Sequence, residues 1–128
     1  MIVDTSALIA ITFREHGHLG LIAKLASAPS AGIGTPTLAE TGLVLGARLR
    51  RDPRDLIVRL LAEFNVEAVP FGDEHWKEAI DAYQRFGRGR HKAQLNFGDC
   101  LTYAVARLAG EPLLYIGNDF AETDLDTA

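Results

Sequence analysis

Cysteine, methionine and tryptophan each occur once in this chain of 128 residues, and lysine only as Lys24, Lys77 and Lys92. With Cys100 alone, no intramolecular disulfide can form, which suits a reducing compartment such as the cytoplasm. The start, Met-Ile-Val-Asp, has no basic stretch ahead of a long apolar run, so a secretory signal is not expected. No apolar stretch reaches bilayer-spanning length. Internal repeats, low-complexity tracts and long linkers are missing as well. There is no Gly-x-Gly-x-x-Gly and no P-loop, which leaves nucleotide-cofactor binding without a motif. None of the three lysines follows an expected strand, and this weighs against a phospho-acceptor domain. A basic excess is also lacking. The chain has 13 Lys and Arg against 17 Asp and Glu, a net charge of −4, so total charge gives no support to nucleic-acid binding.

What is present describes one folded domain over residues 1–128, since 48% hydrophobic and 23% charged residues suit an ordinary core. Ile2-Val3 reads as a short buried strand ending at Asp4, with a helix over Ala7–Ile11 behind a polar cap. A second helix is expected over Leu19–Ala26 and a strand over Ala31–Gly34. Pro36 suits the first turn of a helix running to about Leu49, well buried on two sides. Asp52-Pro53 marks another helix start, with a stripe at Leu56, Ile57, Leu60, Leu61 and Phe64. Val66–Phe71 reads as a strand. Asp73 can cap a helix whose Trp76, Ala79, Ile80 and Tyr83 share a core face. Gly87–Gln94 reads as an exposed loop and Phe97–Ala109 as a helix closed by Gly110. Leu113–Ile116 reads as a last strand before a polar, fraying tail. Strands alternating with helices, apolar throughout, predict an α/β fold with an open, mostly parallel sheet covered on both faces. Ligands in such folds bind beyond the carboxyl ends of the strands, where Asp4 and Asp119 fall.

Four acids then need weighing. Asp4 is a natural helix N-cap, although Thr5 and Ser6 could cap as well. Glu40 lies inside a helix, where a carboxylate is costly unless compensated. Thr37-Leu38-Ala39-Glu40 matches a capping box, whereas Pro36 favours Thr35 as the cap and leaves Glu40 outside it. Asp99 can place negative charge in a helix first turn, and Asp119 can close a turn. Each reading suffices alone. As a set, the four sit where the fold class can bring them together. Carboxylates at close range need a cation or a shared proton. Oxygen ligands without Cys or His fit magnesium or manganese better than zinc, and such an ion can activate water and clamp a phosphodiester.

These residues resemble the PIN-domain family, specifically the VapC-type toxin ribonucleases of type II toxin–antitoxin pairs. The resemblance rests on Met1-Ile-Val-Asp-Thr-Ser-Ala7, Leu38-Ala39-Glu40, Asn96-Phe97-Gly98-Asp99-Cys100 with Tyr103-Ala104, and Gly117-Asn118-Asp119-Phe120 with Thr123-Asp124. It implies a three-layer α/β/α sandwich with a central, mostly parallel sheet. It also implies Mg2+-dependent cleavage of RNA by a metal-activated water, with Mn2+ as a substitute. Asp4, Glu40, Asp99 and Asp119 would hold the metal. Ser6, with Thr5 beside it, would orient a water or phosphate oxygen, and Asn96 would brace the site from behind. Asn118 and Asp124 stand where family members vary, which leaves the number of metals open. Partners implied are an RNA substrate, a cognate antitoxin that inserts a basic side chain among the carboxylates, and a second copy in a homodimer. The alternative from another class is a non-catalytic RNA- or protein-binding regulator with a structural acidic metal site.

Other residues read more simply. Arg48, Arg50, Arg51, Arg54 and Arg59, and Arg85, Arg88, Arg90 and Lys92, form two basic clusters that suit a polyanion. Cys100 has no His placed to activate it and reads as a small buried hydrophobe. His16 and His18 read as surface, and His75 and His91 have no evident partners. Trp76, Tyr83, Phe86, Tyr103 and Tyr115 read as packing residues.

Overall fold

The computed structural model describes residues 1–128. In chain order the elements are β1 (Ile2–Val3), α1 (Thr5–Thr12), α2 (His18–Ser27), β2 (Ala31–Gly34), α3 (Thr35–Leu49), α4 (Arg54–Glu63), β3 (Val66–Val69), α5 (Asp73–Phe86), α6 (Phe97–Ala109) and β4 (Leu113–Leu114). The strands form one sheet in the order β3-β2-β1-β4, parallel throughout. Ile2 registers with Gly32 on one side and Leu113 on the other, and Val3 with Leu114.

Strand alternation divides the core in two. Ile2 and Leu113 face a cluster built with α5 and α6, including Ala82, Phe86, Tyr103 and Val105. Val3, Ile33 and Leu114 face the opposite cluster, with Leu8, Ile11, Leu21 and Leu25 from α1 and α2. Helices therefore cover both faces, the α/β/α sandwich expected. On β2 only Ala31 and Ile33 carry side chains. A Cβ on Gly34 would lie 2.8 Å from Val105 Cγ2, so glycine is what lets α6 sit close against the sheet.

The sequence expectations differ from the structure in several places, each with a physical reason. β3 stops at Val69 because Pro70 has no N–H for the ladder. β4 ends at Leu114, not Ile116, because the Ile116 N–H is donated to Ser6 Oγ at 3.0 Å. The tail does not fray. Leu113 N donates to Asp126 O and Ala128 N to Leu113 O, both at 2.9 Å, so the last residues run alongside β4. Asp52 lies one residue outside the cap of α4, which is Pro53, yet its Oδ1 still accepts the Arg54 N–H at 3.0 Å. In the segment Gly87–Gln94, Gly87 and Ala93 are buried, and Leu95 N returns to Phe86 O at 2.9 Å. Only Thr37, Thr41 and Leu45 of α3 are fully buried, so that helix has one buried stripe rather than two sides. The largest departure is α5. It buries Ala79, Ala82 and Phe86, while Trp76, Ile80 and Tyr83 remain 48%, 52% and 42% exposed. With Phe97, Cys100 and Leu101 they line an apolar groove of about 430 Å³.

Candidate acidic active site

The order β3-β2-β1-β4 reverses direction at β1, and the carboxyl ends of β1 and β4 open onto the crevice where such folds place ligands. Asp4 follows β1 and is 6% exposed. It does cap α1: Oδ2 accepts the Ser6 N–H at 3.0 Å and the Ser6 hydroxyl at 2.6 Å. Its other oxygen, Oδ1, accepts the Thr102 hydroxyl of α6 at 3.0 Å. Ser6 Oγ also receives the Ile116 N–H, so one hydroxyl joins Asp4 to the segment that leads from β4 to Asp119. Gly117, at φ 108°, turns that segment, and Asn118 and Asp119 are exposed on it.

Glu40 projects half-buried from α3, and no capping box involves it. The helix starts at Gly34 with Pro36 in its first turn, so Glu40 lies beyond the cap. Its Oε1 accepts the Thr5 hydroxyl at 2.9 Å. Its carboxylate lies against Gly98, where a Cβ would collide with Oε2 and come within 3.1 Å of Cδ. Glycine at the start of α6 therefore makes room for an acid from α3. Asp99 belongs to a reciprocal cap: Asn96 Oδ1 accepts the Asp99 N–H at 2.9 Å, and Asp99 Oδ2 accepts the Asn96 N–H at 3.0 Å.

Burial pushes the Asp99 carboxyl up from 3.8 to about 6, helped by the negative charges of Asp119, Asp4 and Glu40 and opposed by the Asn96 N–H. Asp119, Asp4 and Glu40 thus each lie within electrostatic range of Asp99, although no three of the acids close on a single point. An all-oxygen set that penalises its own ionisation fits a hard divalent cation.

The other candidates separate from this group. Asp124 accepts the Tyr103 hydroxyl at 2.7 Å and Arg85 Nη2 at 2.8 Å, with Arg107 at 3.7 Å. It ties the tail to α5 and α6 and is not among the charges that raise Asp99. Tyr103 is fully buried, a packing residue whose hydroxyl donates to Asp124 and accepts from Arg85 Nη1 at 3.3 Å. Cys100 is 4% exposed, and burial, then the Asp99 charge, pushes its thiol up to about 11, so it is not a nucleophile at neutral pH. Several cations of the basic clusters are engaged: Arg54 with Asp52, Arg85 with Asp81 and Asp124, Lys92 with Glu122, and Arg48 with Glu15 and over the Phe13 ring. Arg50, Arg51, Arg59 and Arg88 make no ion pair. Sequence reasoning missed Gly98 and the buried hydroxyls of Thr37, Thr41 and Thr102. A small polar residue inside a helix carries no signal of its own until the neighbouring helix is in place.

A model of the PIN domain matches residues 1–125. The chain belongs to the PIN-domain family. Ribonuclease VapC36 of Mycobacterium tuberculosis is 46% identical over 127 residues, covering 98% of this chain and 91% of that protein. Among solved structures, M. tuberculosis VapC20, a sarcin-ricin-loop-cleaving toxin, superposes with a TM-score of 0.76 at 19% identity, over 99% of this chain and 97% of the other. A toxin–antitoxin complex from Klebsiella pneumoniae gives 0.70 at 18% identity, over 96% and 92%. At those identities the structural likeness speaks for the fold, while the relation to the VapC ribonucleases rests on the sequence match.

Proposed function

We propose that this PIN domain is a cytoplasmic, Mg2+-dependent endoribonuclease, the toxin of a toxin–antitoxin pair. The observation that carries the reading is the Asp99 carboxyl, raised to about 6 by burial and by Asp119, Asp4 and Glu40. Such mutual repulsion at the carboxyl edge of a parallel sheet is useful to a site that takes a cation. The kinship with VapC ribonucleases supplies the substrate class.

Asp4, Glu40, Asp99 and Asp119 would hold Mg2+, or Mn2+ in its place. The ion, when bound, supplies Lewis acidity toward a phosphodiester and its attacking water. The protein's own part is positional. Ser6 and Thr102 fix both oxygens of Asp4, Thr5 fixes Glu40, and the Asn96 cap fixes Asp99. Asn118 lies beside Asp119 on the exposed turn, where it can meet substrate. Asp124 supports the site indirectly, by anchoring the tail beyond Asp119. The unpaired Arg50, Arg51, Arg59 and Arg88, with Arg90 over the Tyr83 ring, are among the cations free to meet RNA phosphates, through contacts that weaken with salt. No side chain serves as a covalent nucleophile.

A cognate antitoxin is the expected partner, in keeping with the toxin–antitoxin complex that shares the fold. A homodimer is proposed as well. Exposed Leu43, Trp76, Ile80 and Phe97 leave apolar surface for protein contacts.

The test is cleavage of total RNA by antitoxin-free protein with Mg2+, Mn2+ or EDTA, beside Asp4→Asn and Asp99→Asn. Discrete fragments that require metal and vanish in both variants are expected. Intact RNA under every metal condition would favour a binding regulator instead. Cleavage that survives both substitutions would remove the proposed site.

A further inference from the structure

The buried threonines around Asp4 form a chain whose proton order is fixed. Thr37, Thr41 and Thr102 are 3%, 0% and 1% exposed, and no buried side-chain polar atom lacks a partner. A carboxylate only accepts, so the hydroxyl 3.0 Å from Asp4 Oδ1 must donate, and that uses the single Thr102 proton. Thr37 Oγ1 is 3.0 Å from Thr102 Oγ1, and one of the two must donate. With the Thr102 proton committed, Thr37 is the donor. The chain therefore runs Thr37 to Thr102 to Asp4, from α3 through α6 to the end of β1. The Thr37 carbonyl in turn accepts the Thr41 hydroxyl at 2.8 Å and lies 3.3 Å from Thr5 Oγ1, which holds Glu40. Thr37 is thus in contact with the supports of both acids.

Lone pairs can be counted along this chain. A carboxylate offers about four acceptor sites. On Asp4 the Ser6 N–H and hydroxyl occupy Oδ2, and Thr102 occupies one site of Oδ1. The open site is on Oδ1, the oxygen that Thr102 holds in place. We infer that Thr102 and Thr37 are positioning residues for the acidic site: by donating in sequence, they hold Asp4 with Oδ1 presented as its one free ligand oxygen. The effect depends on the hydroxyls rather than on side-chain volume. Valine keeps the branched shape but removes the donor and leaves the Thr37 hydroxyl without an acceptor, while serine keeps the donor and loses only a methyl.

This inference rests on the metal-dependent reading, so its test reads metal directly. Mn2+ binding is titrated by electron paramagnetic resonance, without RNA, in wild type, Thr102→Val, Thr102→Ser, Thr37→Val and the double valine variant. Thermal unfolding in EDTA checks that each is folded. Thr102→Val is expected to weaken Mn2+ binding about 10- to 100-fold, the usual effect of losing a hydrogen bond behind a ligand. Thr102→Ser is expected to recover most of it. Thr37→Val should weaken binding less, and add nothing on top of Thr102→Val, because it acts only through that hydroxyl. A folded Thr102→Val that binds like wild type, or a serine variant as weak as the valine one, overturns the positioning role and leaves the metal reading intact. Wild type that binds no Mn2+ overturns the metal reading itself. Should Thr102→Val fail to fold, Thr37→Val decides: unchanged binding there overturns the chain.

Discussion

Replacing Asp99 by asparagine should abolish cleavage and yet stabilise the metal-free protein at neutral pH. The carboxyl rises from 3.8 to about 6, chiefly through burial and then through Asp119, Asp4 and Glu40. A group raised in the folded state favours folding below its unfolded value, and that contribution is lost as pH rises through the folded value. Between about pH 4 and pH 6, wild type therefore loses stability by ionising Asp99. At 1.36 kcal/mol per pH unit the interval caps the loss near 3 kcal/mol, and solvent at this half-buried group reduces it to about 1–2 kcal/mol. Asparagine has no such ionisation, and its side-chain oxygen can still accept the Asn96 N–H that Asp99 Oδ2 accepts now.

For a domain of this size the difference corresponds to roughly 3–8 °C in Tm. Unfolding of wild type and Asp99→Asn in EDTA, from pH 4 to pH 8, would measure it. The curves should nearly coincide at the acid end and separate through pH 6, with the variant higher. Saturating Mg2+ should reverse the order, because a ligand at a hundred times its Kd adds about 2.7 kcal/mol to the form that binds it. A variant less stable than wild type at pH 7 without metal, or a gap independent of pH, would refute the view that this cluster is held together against its own charge.

Three further outcomes follow from the same geometry. Gly98→Ala should displace the Glu40 carboxylate and lower cleavage about tenfold or more, with a small change in Tm because the obstructing group is the end of a flexible side chain; full activity would mean Glu40 need not lie against α6. Tyr103→Phe removes the 2.7 Å bond to Asp124 and should cost about 1–2 kcal/mol in urea unfolding, with the cleavage of the folded fraction retained; a specific loss of activity would give Asp124 a direct role. Although burial opposes it, bonds from Tyr103 and Arg85 hold the Asp124 carboxyl below its usual value. Asp124→Asn should accordingly be less stable than wild type near neutral pH, and the gap should narrow as acid protonates Asp124. A gap constant down to the lowest pH would exclude an electrostatic clamp.

How much of this was legible in the residues depended on where the deciding neighbour lay. The strands Ile2-Val3 and Ala31–Gly34 were readable because a strand buried on both faces declares itself by unbroken apolarity. The exposed face of α5 was not readable, since Trp76, Ile80 and Tyr83 have the periodicity of a core stripe whether another helix or solvent faces them. Glu40 stood between a capping box and a site, and what separates these is the cap at Gly34 together with the space left by Gly98 on a different helix. For Asp4 and Asp99 the two readings prove compatible. Asp4 caps α1 and Asp99 shares the cap of α6 while both stand in the acidic cluster. The helix ends that position these carboxylates are capped by the same side chains proposed to bind metal, in Asp4 through Oδ2, the oxygen opposite the one left for the ion. Alanine at either position would therefore remove a cap as well as a ligand and confound stability with chemistry. Asparagine keeps a neutral acceptor for the cap and removes the charge, so it separates what these acids do for the fold from what they do for a cation.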